Sequence, residues 1–165
     1  VRTAWLWPLA TTAWLMGCGE GSERAPEEPS TTPPRVAVGV GRPGQYIPVK
    51  AGDTLRLQRG CQGSQHVFVS LQAWNLEPLS ATVSLSLTRR SDGQRVSLPY
   101  QLRLPFEPAN TQRPAMLSGL LLVVPEPSEA LGEPVTLEAR LEDAQGQSST
   151  DTREGVIQWG ADACP

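Results

Sequence analysis

The residues able to do chemistry in this chain are few. Its soft or nitrogen donors are three cysteines (Cys18, Cys61 and Cys164), the single histidine His66, and Met116 with Met16. Cys61, His66 and Met116 are the one set from which a soft metal would draw. A blue-copper site needs two histidines beside a cysteine and usually a methionine, and catalytic zinc takes two or three histidines. The set is one ligand short, so no metal and no cofactor are expected. Copper handling through Cys61, His66 and Met116 is kept as the alternative reading. His66 with a serine and a carboxylate would make a nucleophilic triad, but no Gly-x-Ser-x-Gly elbow is present. A structural histidine at the start of a strand is the expectation. The carboxylates Glu142, Asp143, Asp151 and Glu154 flank a hairpin turn, where solvated charge is the default. Asp143 and Asp151 offer hard oxygen ligands for calcium, but no Asp-x-Asp-x-Asp-Gly loop holds them. No catalytic residue is assigned, and the chain reads as non-enzymatic.

Charge removes another class. The formal net charge is −3, and Lys50 is the one lysine among 14 cations. With no basic surplus to displace counterions from a phosphate backbone, nucleic acid is not an expected partner. Arg89, Arg90 and Arg95 form a small basic cluster at a predicted hairpin end. Such a cluster is ordinarily solvated, though it suits contact with anionic glycans or lipid headgroups.

The elements that must position these residues begin with a leader. Residues Ala4 to Met16 form a short apolar run behind Arg2. A short apolar core after a positive start is the pattern of a secretory signal, and it is too short to span a bilayer. It ends in Leu15-Met16-Gly17-Cys18, which resembles the lipobox of bacterial lipoproteins. That resemblance implies cleavage before Cys18 and a diacylglycerol on its thiol. It places the chain in the bacterial cell envelope, anchored to a membrane by lipid. Gly19, where an inner-membrane retention signal has aspartate, resembles the outer-membrane class. With Cys18 acylated, Cys61 and Cys164 remain, and two cysteines in an exported chain are expected to form a disulfide. A metal or redox thiol pair is the other use of these two; a Cys-x-x-Cys arrangement is absent.

Residues 18–35 follow as a linker rich in proline and glutamate, with no apolar side chain larger than alanine or proline beyond the cysteine. Such a segment buries too little surface to offset its ordering entropy, and it reads as a semi-extended tether. The division expected is 1–17 signal peptide, 18–35 lipidated cysteine and linker, and 36–165 folded domain.

The domain reads as all-β: an immunoglobulin-like antiparallel sandwich of about 7–9 strands. Short β-rich runs recur between turn signals. Val83, Leu85 and Leu87 alternate with polar residues, as do Val135, Leu137, Ala139 and Leu141, which puts each set on one face of a strand. His66 to Trp74 is the candidate central strand, with Trp74 expected between sheets. Tyr46 to Val49 is a strand whose Pro48 marks an edge or bulge. Asp92-Gly93 turns a hairpin whose return strand is expected over Val96 to Leu104. The segment 134–158 resembles the terminal hairpin of bacterial immunoglobulin-like modules, through Leu141-Glu142-Asp143-Ala144-Gln145-Gly146. The stretch Gly60 to Leu71 resembles lipoproteins of myxobacteria, a likeness that brings no activity with it. Loops gather at the ends of sandwiches. The expected binding residues are therefore Gln62, Gly63, Gln65 and His66 in one loop and Arg89, Arg90 and Arg95 in another, with the connection from Pro105 to Pro114 as a third surface. The partner expected is an envelope protein or a glycan, bound by a non-catalytic binding or assembly module.

Overall fold

A computed structural model describes residues 32–161, with Gln112 excepted. The leader, Cys18 and most of the linker lie outside the described residues. The strands are β1 (Arg35–Val40), β2 (Ile47–Pro48), β3 (Asp53–Arg59), β4 (Gln65–Trp74), β5 (Ser80–Arg89), β6 (Tyr100–Pro105), β7 (Ala115–Val123), β8 (Pro134–Glu142) and β9 (Ser148–Trp159), with one 3-10 turn at Pro127–Glu129.

Alternation decides which face each strand buries. In β5, Ala81, Val83, Leu85 and Leu87 are buried; opposite them in β8, Val135, Leu137, Ala139 and Leu141 are buried too. Register pairs Leu85 with Ala139 and Leu87 with Leu137, so both rows meet on one side. Leu55 and Leu57 of β3 and Ile157 of β9 continue that core. Each fully buried Leu, Ile or Val contributes roughly 1.5–3 kcal/mol. β4 buries residues on both faces, among them His66, Val67, Val69, Ser70 and Leu71, as its central place requires.

The nine strands form one curled mixed sheet, a half-barrel, rather than two plainly separate sheets. β7 runs along one edge of β4. The other edge of β4 is shared: β3 pairs with Leu57↔Val67 to Arg59↔Gln65, and β1 with Val40↔Val69 to Arg35↔Trp74. β3 then pairs in parallel with β9, and β9, β8, β5 and β6 follow antiparallel. The curl brings β1 against β8 and β9. Between β1 and β9 side chains replace the ladder: Val36 N–H donates to Ser149 Oγ at 3.1 Å, and Val38 N–H to Asp151 Oδ2 at 2.8 Å.

Three local expectations change. The strand expected over Tyr46 to Val49 shrinks to Ile47–Pro48, both exposed at the sheet's edge, since Pro48 has no N–H to extend a ladder. The return strand expected over Val96 to Leu104 begins only at Tyr100. Val96 N–H still reaches Leu87 O, but Leu98 N–H leaves β5 and donates to Val123 O of β7, and Pro99 cannot donate. Trp74 is not core: it has the parity of the outer face, half-buried, with the Arg35 guanidinium 4.0 Å over its ring.

Two glycines set the path of the chain after β1. At Gly39 a Cβ would lie 2.5 Å from Ile47 O, so only glycine lets β2 pair there. Gly119, with φ +73°, sits in a bulge where β7 spends Ser118 and Gly119 against Ser70 alone. Its missing Cβ would be 2.6 Å from Pro43 Cγ. Buried Ser70 ties this crossing together: its Oγ donates to Gly41 O at 3.1 Å and accepts from Gly119 N–H at 3.3 Å.

Candidate functional site

The β4 start, the β3 and β9 ends and the β5 end share one end of the half-barrel. Two of the three expected surfaces therefore lie together, the turn from Gly60 to Gln65 and the turn from Arg90 to Gly93. The 105–114 connection lies at the opposite end, where Ala73 pairs with Ala115 and Ser80 with Pro105. Arg35, where the described chain begins its first strand, is also at that opposite end, paired with Trp74.

The β3–β4 turn is closed by Gly60 N–H to Ser64 O at 2.7 Å and Gly63 N–H to Gly60 O at 3.0 Å. Gly63 takes φ +81° at its tip. Gln62 and Gly63 are exposed and Gln65 is half-buried. Cys61 is disulfide-bonded. Cys18 and Cys164 both lie outside the described residues, so pairing of Cys61 with Cys164 remains a proposal.

His66 is 4% exposed, and among the described residues neither ring nitrogen has a hydrogen-bond partner. Its ring stands edge-on to Phe68 at 4.8 Å between centroids. Burial pushes its pKa below the ordinary value. With both nitrogens unpartnered, the imidazole activates no serine and is held by no carboxylate in this arrangement. Met116 does not approach it. Along β4, His66 pairs with Val123 and Met116 with Gln72; six residues of strand separate them, about 20 Å at about 3.3 Å per residue. The sulfur of Cys61 is already in a disulfide. The copper set expected as an alternative therefore does not converge, and no cluster of three His, Cys, Asp or Glu side chains suited to a metal occurs among the described residues.

The basic cluster is largely neutralised. Arg89 Nε donates to Asp92 Oδ1 at 3.1 Å and its Nη1 to Glu129 O at 2.8 Å. The Arg89 guanidinium, followed by the Gln94 N–H, holds the Asp92 carboxyl down at about 2. Arg90 pairs with Glu154 at 2.9 Å. Arg95 is exposed beside a shallow polar hollow that also takes in Ser84, Ser86, Tyr100 and Glu138. Asp143 and Asp151 are both employed structurally. Asp143 Oδ1 accepts the Gln145 and Gln147 N–H groups at the β8–β9 turn. Asp151 accepts from Val38 N–H and pairs with Arg153 at 3.0 Å.

Sequence reasoning missed one site. Where β1 ends and β3 begins its pairing, the shared edge of β4 is interrupted at Phe68, and a pocket of about 190 Å³ opens there. Val40, Ile47, Val67 and Phe68 line it together with the polar residues Arg42, Arg56 and Gln58. No sequence motif marks it, because its parts come from four strands and a loop joined only by pairing.

No family model, curated protein or solved structure significantly matches this chain.

Proposed function

We propose that this chain is a non-catalytic lipoprotein of the bacterial cell envelope. In this reading it is anchored to a membrane, an outer membrane by preference, through Cys18, and an immunoglobulin-like domain serves as its binding or assembly module. The strand order supports the domain assignment. β1–β4–β7 and β9–β8–β5 reproduce the neighbour relations of the two halves of such sandwiches, and β3 joins the halves. The observation that carries the function is the polarity of the fold. Arg35, and with it the approach of the linker, is at one end, while the exposed Gln62–Gly63 turn and the Arg89–Arg95 turn are at the other. A lipid anchor would then leave those turns farthest from the membrane, where an envelope protein or glycan meets them first. Several acyl chains hold such a protein firmly, at about 0.8 kcal/mol per buried CH₂.

Metabolic labelling with an alkynyl fatty acid in a bacterial host, followed by crosslinking and mass spectrometry, tests this. The wild type should carry label, Cys18→Ala should not, and crosslinked peptides should come from residues 60–65 or 89–95. A wild type that stays unlabelled ends the anchored reading. Crosslinks confined to 105–114 would end the assignment of the distal turns.

A further inference from the structure

The pocket at the break in the β4 edge combines an apolar body with uncompensated positive charge. Ile47, which lines it, is 54% exposed, so the cavity opens to solvent. Among the described residues no aspartate or glutamate lines it. Arg42 and Arg56 are held there by neutral oxygens: Arg42 Nη2 donates to Gln58 Oε1 at 3.2 Å, and Arg56 Nη1 to Trp159 O at 3.3 Å. Among the described residues neither takes part in an ion pair, whereas Arg89, Arg90, Arg113, Arg140 and Arg153 each do. In a chain of net charge −3, two unmatched guanidiniums beside one apolar pocket are a local reversal of sign.

We infer that this pocket binds a small monoanion with a compact apolar body, such as a short alkyl carboxylate. The volume sets the size. About 190 Å³ is close to the roughly 150 Å³ of a cavity that takes benzene, and below the roughly 300–1,000 Å³ of drug-sized sites. The walls set the polarity, with the alkyl part against Val40, Ile47 and Phe68. The guanidiniums set the charge, because their planar forks match a carboxylate. Gly39 and Gly119 matter to the site indirectly. They let the chain from Gly41 to Ile47 lie close over β4 and β7, and that segment supplies Arg42 and the Ile47 wall. The site is distinct from the distal turns, and it does not depend on the anchor: a chain never acylated would bind the same anion.

Backbone amide NMR on the full chain, titrated with hexanoate and separately with hexan-1-ol and acetate, tests this. Hexanoate should cause saturable shifts at Val40, Arg42 and Phe68 in the millimolar range, with the alcohol and acetate weaker by roughly tenfold. The double variant Arg42→Gln/Arg56→Gln, altered only at exposed positions, should keep its spectral dispersion and lose that preference for hexanoate. Absence of saturable shifts, equal binding of the alcohol, or an unchanged preference in the folded double variant would overturn the inference.

Discussion

Asp151 Oδ2 lies 2.8 Å from the Val38 backbone nitrogen and accepts its N–H, joining residues 113 apart in sequence where β1 and β9 meet without a backbone ladder. Val38 is fully buried, so its N–H has no water to turn to. Asp151→Ala should lower stability by about 1–3 kcal/mol, the cost of leaving a buried donor unmade. Asp151→Asn keeps an acceptor and should lose less. Urea denaturation of the two variants checks this. Equal losses would mean that charge, not the bond to Val38, holds β1 in place.

His66 predicts a pH dependence. Burial lowers its folded pKa from 6.5, so the unfolded chain binds the proton more readily than the folded one. Stability rises with pH wherever the unfolded state carries more protons. This contribution is complete above the unfolded value and is lost as pH falls from about 6.5 through the lowered folded value. His66→Leu removes two unpartnered buried nitrogens, so it should be neutral or stabilising near neutral pH and should flatten that part of the profile. Denaturation midpoints between about pH 5 and 7.5 decide the matter; an unchanged slope in the variant would assign the dependence to other groups.

Gly119 and Gly146 share a positive φ, +73° and +78°, but only Gly119 has a neighbour within van der Waals range of a new Cβ. Both alanine variants meet the left-handed penalty of roughly 1–2 kcal/mol. Gly119→Ala must also displace Pro43 and should be clearly the worse of the two in a thermal melt. It should also weaken hexanoate binding, because Pro43 follows the pocket residue Arg42 and lies two residues before Gln45, which also lines it.

Reduction should cost about 2–5 kcal/mol, the usual consequence of losing a native disulfide, since Cys61 is bonded. Peptide mapping under non-reducing conditions should join Cys61 to Cys164. A bridge from Cys61 to Cys18 would occupy the thiol that acylation requires and would remove the anchored reading outright.

Much of the architecture was legible because strand burial has period two and needs no knowledge of partners. The runs around Val83–Leu87 and Val135–Leu141 announced their buried faces, and Asp92-Gly93 its turn. The absence of any second histidine limited the chemistry that any fold could assemble from this chain. Local pattern failed where a residue's fate depends on distant chain. Trp74 lies on the outer face, stacked under Arg35, because β1 pairs there. Leu98 turns from β5 toward Val123 because β7 presents an acceptor.

The sequence alone determined the all-β class of the folded part, which side chains are apolar, and that soft or nitrogen donors are scarce, Cys61, His66 and Met116 among them. Tertiary structure decided which of them meet. Register along β4 separates His66 from Met116. The joint use of one β4 edge by β1 and β3 opens the pocket at Phe68 and sets Arg42 and Arg56 beside it. Hydrophobic alternation acts over a few residues and is written locally. Pairing between strands is settled by the whole sheet at once, because each backbone donor and acceptor taken from water must find a partner somewhere in it.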